Sequence, residues 1–150
     1  MVASAWSVFD VAKRNIGNNT ISLSATSGYK ISLHKTAANT NLTGAITIWS
    51  SIGNEVTYTG NIAAGGVALG GTQWVVGTSA GQYKFSASNA IFTASGASIT
   101  SIRFAVIRFS AGAASGYPLC FAALSTGQFS VSSNNTLTVQ ANASGIFTLA

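Results

Sequence analysis

The sequence predicts a mainly β protein: one antiparallel β-sandwich or jelly-roll-like domain of eight or so strands, with a short N-terminal helix. Turn signals recur about every 8–12 residues over most of the chain, the spacing of all-β sandwiches and barrels. The runs between them are short and rich in Val, Ile, Phe, Tyr and Thr. The single proline, Pro118, opens one such run, where its missing donor does least harm. With 150 residues, no composition shift and no fixed-period repeat, the whole chain 1–150 reads as one domain.

The elements follow in order. "SAWSVFDVAKRNIG" predicts a helix over 4–17, because Trp6, Phe9, Lys13 and Ile16 fall at i, i+3, i+7 and i+10. Ser4 or Ser7 is its expected cap, and Lys13 and Arg14 suit its C-terminal end before Gly17. "TISLS" and "YKISLHK" read as strands joined at "TSG", with Tyr29, Ile31 and Leu33 on one face and Lys30, Ser32 and His34 on the other. "TAANTNLTG" is a loop, and "AITIWSSIGNEV" fits either a strand or a single helical turn. "YTGNIAAGGVALGG" turns on its glycines, and "TQWVVG", "QYKFSAS" and "AIFTAS" are strands. So are "ASITSIRFAVIRFS", "YPLCFAALS", "GQFSVSS", "NTLTVQA" and "GIFTLA". Trp6, Phe9, Ile16, Phe104, Val106, Phe121 and Leu137 are expected to contribute to burial.

"IRFAVIRF" departs from the pattern of a sheet with one wet face. Phe104 and Val106 point one way, Ala105, Ile107 and Phe109 the other, and both sets are apolar. Such a strand needs a layer on each side.

Charge is scarce. Only 6% of residues are charged, seven basic and two acidic, for a net charge of +5. Solitary soluble domains carry more charge than this, so the composition favours a subunit of an assembly. No basic run exceeds Lys13-Arg14, which argues against a nucleic-acid partner. No stretch is long and apolar enough to read as a membrane span. The N-terminus lacks the layout of a signal peptide, so the chain is expected to be made in the cytosol and untargeted.

Catalytic chemistry has little to draw on. Asp10 and Glu55 read as cap-region or solvated carboxylates, and His34 falls on the polar side of its strand as a surface histidine. Cys120, in "PLCFAAL", reads as a small buried apolar residue. No metal-ligand spacing links these four, and Gly60 to Gly65 lacks the Gly-Lys-Ser/Thr of a phosphate loop. The expectation is a protein that is not an enzyme and needs no cofactor or metal. Trp49, Trp74 and Tyr83 are either core aromatics or a sugar-stacking platform.

Four segments, "YTGNIAAGGVALGG", "FTASGASITSIRFAVIRF", "GYPLCFAAL" and the C-terminal "TLTVQANASGIFTLA", resemble in order and spacing a widespread group of small virion proteins of tailed bacteriophages. "FDVAKRNIGNNTISLSATSGYKISLHKT" is similar to that group as well, so the resemblance covers nearly the whole chain. It implies a virion structural protein with no catalytic residues: a capsid decoration (cement) protein, or a neck, tail or baseplate part. The partners implied are the major capsid protein and copies of itself as a homo-oligomer, or alternatively neck and tail proteins. A carbohydrate-binding module for host attachment is the rival from another class. The chain departs from the group in its few acids and in the pair Arg103 and Arg108. These two, set beside large apolar residues, are the candidate interface anchors toward a neighbouring subunit or an acidic capsid surface.

Overall fold

A computed structural model describes residues 3–35, 46–57, 64–110 and 116–149. Among them are one helix, α1 (Asp10–Gly17), and twelve strands, more than the eight or so expected because several are only two to four residues long. The largest sheet is built from β1 (Ser7–Val8), β2 (Tyr29–His34), β3 (Val67–Ala68), β8 (Phe104–Phe109) and β9 (Tyr117–Ala123), in the order β1-β9-β8-β2-β3, all antiparallel. The remaining strands are β4 (Gln73–Val76), β5 (Tyr83–Ser86), β6 (Ala90–Thr93), β7 (Ile99–Ile102), β10 (Phe129–Val131), β11 (Thr136–Val139) and β12 (Phe147–Leu149). They pair as β10-β7, β11-β6 and β12-β5-β4. The result is mainly β and sandwich-like, with a short N-terminal helix.

Strand β8 has a layer on each side. Toward the smaller sheets, Ile107 lies beside Ile31 and Cys120, and Tyr29 packs on Phe109 and on Phe85 of β5 at 4.9 Å each. On the other side, Val106 lies beside Phe121, which Phe9 covers at 4.9 Å just before α1 begins. Farther along that side Trp49 covers Arg108. Ala105, Val106 and Ile107 are all fully buried. One contiguous core results, and burying its large side chains contributes about 1.5–3 kcal/mol each. Phe9 and Val106 are among the buried residues, while Trp6, Ile16, Phe104, Phe121 and Leu137 pack partly buried against them.

The helix is shorter than the periodicity suggested. Ser7 and Val8 pair with Phe121 and Cys120, and the Ser4 amide donates to the Ala123 carbonyl at 2.7 Å. The edge of β9 claims these backbone groups, so the helix starts only at Asp10, capped by Phe9 with no side-chain cap from Ser4 or Ser7. Asp10 sits in the first turn and Arg14 in the last, as the helix dipole favours. "TISLS" is not a strand. The Ile21 amide turns back to the Asn15 carbonyl, Asn19 takes a positive φ of 61°, and the segment folds over the core with Ile21 and Leu23 buried.

Trp49–Ser51 forms a 3-10 turn, which decides the ambiguous "AITIWSSIGNEV" in favour of a helical turn. The loop expected at "TAANTNLTG" lies outside the described residues. "ITSIRFAVIRF" divides into β7 and β8: Ser101 has φ 62° and the Arg103 amide donates to His34, so the chain passes from one sheet to another. Between Ile107↔Cys120 and Arg108↔Pro118 the register shifts, leaving Leu119 as the extra residue of a bulge. Pro118 is thus the second residue of its strand and stands at a bulge, where a lost donor is tolerated.

Gly66, at φ 74°, brings the chain onto β2 so closely that a Cβ there would meet the Ile31 carbonyl. Gly66→Ala is expected to detach the two-residue strand β3 and cost about 2 kcal/mol, the release of that short edge limiting the damage. Urea unfolding with unchanged stability would contradict this packing.

Candidate functional site

Lys30, Ser32 and His34 were expected on a polar face of β2, with His34 at the surface; Val106 and Arg108 of β8 lie on that same side of the main sheet. That side is covered. Trp49 of the 3-10 turn lies over it, the Glu55 segment pairs along the edge of β2 beside His34, and His34 and Arg108 are only 1% and 6% exposed. His34 is therefore no surface histidine. Strict alternation along β2 gave no sign of this, because the covering segment comes from elsewhere in the chain.

A carbonyl oxygen only accepts, so the His34 Nδ1–H donates to Gly53 at 3.2 Å. Neutral Nε2 then accepts the Ser32 hydroxyl at 2.9 Å. Burial lowers the His34 pKa to about 4, against a small opposing pull from the Gly53 carbonyl. The ring meets Trp49 edge-on at 5.2 Å, and the Arg108 guanidinium lies 4.8 Å from the Trp49 ring centre.

Gly65 joins the two charges through the two peptide groups on either side of its Cα. Its N–H is shared between both Glu55 carboxylate oxygens at 2.9 Å, and its carbonyl accepts from Arg108 Nη2 at 3.0 Å. Burial pushes the Glu55 carboxyl above its usual range, although the Gly65 and Gly66 amides, Arg108 and Lys30 all pull it down. Glu55 also offsets a like-charge pair, since Lys30 and Arg108 stand directly opposite each other across β2 and β8 and both act on its carboxylate. Far from being a solvated surface carboxylate, it balances a buried cation.

A polar cavity of about 230 Å³ opens beside His34, Trp49, Asn54 and Glu55. A Ser–His hydrogen bond can activate a nucleophile, but the Ser32 hydroxyl is buried and its histidine is oriented by a carbonyl rather than a carboxylate. The arrangement fixes two loops against the sheet. Cys120 is buried, as expected, and burial raises its thiol pKa well above the usual value, which keeps it protonated and inert.

The two candidate anchors separate in role. Arg108 is spent inside the chain. Arg103 sits at the turn between β7 and β8, partly exposed, its guanidinium 5.1 Å from the Phe104 ring centre. The three aromatic residues separate too. Trp49 belongs to the Arg108 layer, whereas Trp74 and Tyr83 stack at 5.9 Å with an 18° interplanar angle on the three-stranded sheet.

That sheet carries the surface feature sequence reasoning missed. One face has an inner rung of Trp74, Phe85 and Phe147, with Phe85 fully buried. The next rung, Val76, Tyr83 and Leu149, is 65%, 47% and 40% exposed. The apolar face thus runs from the core out into solvent across all three strands. Its flanking edges, β4 and β12, carry no proline or charged side chain. The signal lay in the strand period: "WVV", "YKF" and "FTL" each place two large apolar residues on one face.

No helix among the described residues is long and apolar enough to cross a membrane, and no group of three or more His, Cys, Asp or Glu converges among them. Comparison with protein-family models, curated proteins and solved structures finds no match.

Proposed function

We propose that this chain is a structural, non-enzymatic protein of a tailed-bacteriophage virion, made in the host cytoplasm and assembled onto the head as a decoration (cement) protein. The observation that carries the reading is the exposed rung Val76, Tyr83 and Leu149, an uncharged apolar surface continuous with the core. Such a surface suits burial against a neighbour. The sequence resemblance supplies the virion context, and the scarcity of charge fits a subunit whose surface is covered by others. In this reading many copies bridge major capsid proteins and one another. Each contact is weak, and the lattice multiplies it. Arg103 is the cation placed to meet an acidic capsid surface, and Arg108 supports the fold from within.

Heads lacking the protein test this. Purified chain should bind them in symmetric copy number and raise their disruption temperature. Val76→Ser with Tyr83→Ser should keep the fold, since both residues are exposed, and weaken head binding at least ~10-fold. Arg103→Ala should weaken it less and make it less salt-sensitive. Unchanged binding by the double variant would reject this surface as the contact.

The Trp74–Tyr83 stack, with Tyr83 half exposed, supports a second reading as a carbohydrate-binding module. Strong hits on a glycan array, with no head binding, would establish that reading instead.

A further inference from the structure

The three-stranded sheet that carries the exposed rung ends at β4, which has no second strand partner among the described residues. Its hydrogen-bond register fixes which peptide groups are open. The Gly77 amide donates to the Gln82 carbonyl, continuing the β4–β5 register by one pair. Bonded pairs alternate along an antiparallel ladder, so Gln73 and Val75 bond toward β5 while Trp74 and Val76 direct their N–H and C=O groups away from it. The Ile146 amide donates to the Phe85 carbonyl on the β12 side, as that alternation requires. On β12 the same alternation leaves only Thr148 pointing outward, so β4 is the fuller edge.

The distribution of charge selects the chain that can meet this edge. Of the seven basic and two acidic residues, all but Lys84 lie on α1, on the main sheet or immediately beside it. Lys84 points to the face of β5 opposite Tyr83 and Phe85 and donates to the Ala143 carbonyl at 2.8 Å. β4 itself carries no charge. An acidic partner is drawn to the cationic side of the molecule and gains nothing here. A second copy, with the same net charge of +5, is repelled wherever cations face cations and meets the least repulsion at this edge.

We infer that β4 pairs antiparallel with β4 of a second copy, about a two-fold axis at Val75, making one continuous sheet across both copies. The strand matches itself. Trp74 bonds with the partner's Val76 and Val76 with the partner's Trp74, so every outward group of the two edges is taken. On the apolar face each Val76, 65% exposed, comes to lie beside the partner's partly exposed Trp74. On the other face the two Val75 side chains meet at the axis. The two Lys84 residues then stand three strand spacings apart, roughly 14 Å, beyond the ~8 Å screening length of physiological salt. Three residues of edge bury much less than the ~1,600 Å² of a standard interface, so the dimer is weak in solution and a lattice multiplies it. The inference rests on the reading of this surface as a contact and names a second copy as its neighbour.

The test uses the full chain alone, without heads. Sedimentation equilibrium from about 10 μM to about 1 mM should show monomer passing to dimer. As the dimer forms, amide exchange at Trp74 and Val76 should slow at least ~10-fold, with Gln73 and Val75 unchanged. Val76→Pro removes an outward N–H while sparing the bonds to β5, and should leave a monomer. Val75→Lys and Val75→Glu should each stay monomeric, because like charges meet at the axis, and should associate when mixed. If a variant fails to fold, the exchange measurement on the unmodified chain still decides. A monomer at every concentration overturns the inference, as does a dimer that protects Thr138 on β11 in place of Trp74 and Val76. A dimer undiminished in the folded Val76→Pro variant overturns it too. Head binding is scored separately: a monomer that binds heads overturns only this inference, whereas a β4-paired dimer that ignores heads supports it and counts against the head reading.

Discussion

Arg108→Ala is expected to destabilise the fold by about 3–5 kcal/mol, enough to remove much of the stability of a domain this size. Three losses combine. The Gly65 carbonyl loses a buried charge-assisted donor, the Trp49 ring loses its cation, and a cavity opens under the 3-10 turn. Glu55 also loses its nearest balancing charge inside a partly desolvated layer. Removing the Lys30–Arg108 repulsion across the sheet returns only part of this. Arg108→Met, which keeps apolar bulk, should recover the packing share and leave the electrostatic one. A double-mutant cycle with Glu55→Gln should be clearly non-additive, because both side chains hold the backbone of the same residue, Gly65. Urea unfolding checks each step, and a cost below about 1 kcal/mol for Arg108→Ala would show that the residue is solvated after all.

Acidification is the second large effect. The His34 pKa is about 4 in the folded chain, against 6.5 ordinarily, so the unfolded chain takes up the proton first. The stability held by neutral His34 is complete above pH 6.5 and drains away as pH falls toward 4, a loss of about 3 kcal/mol. Glu55 acts in the opposite sense. Its raised pKa means that the folded chain binds its proton more readily, so its protonation on acidification favours folding and offsets part of the loss. The net slope is therefore smaller than the His34 contribution alone. Unfolding free energies of the parent and of His34→Gln between pH 7 and 4 separate the two. The variant should start less stable, having lost the Gly53 and Ser32 hydrogen bonds, and should then lose less on acidification than the parent. Parallel pH profiles would show that His34 is not buried neutral.

The fold class was legible because strand period and turn spacing are local properties. Strands β4 to β6 and β9 to β12 lie where alternation and glycine-rich turns placed them, and the doubly apolar "FAVIRF" already required two layers, although the run read as one strand there divides into β7 and β8. Where prediction failed, the deciding partner was distant in sequence. Residues 4–8 have helical spacing, yet β9, more than a hundred residues away, draws Ser7 and Val8 into a strand. His34 looked exposed because the turn at Trp49 that covers it has no signature in β2 itself. Arg103 and Arg108 are alike in sequence context, and only the three-dimensional position of Gly65 and Trp49 sends one inward. The exposed rung is the converse case. Its residues are visible in the sequence, but that Val76, Tyr83 and Leu149 share a rung requires the register of three strands.

The proposed role is that of a structural part of a virion head. Quantitative mass spectrometry of purified particles, giving copies of this chain per particle, tests it most directly. A decoration protein predicts hundreds of copies, in fixed proportion to the major capsid protein, as the symmetry of a closed shell requires. A count of roughly six to twelve would place the chain at the neck, tail or baseplate. Its absence from the particle would contradict the virion role itself.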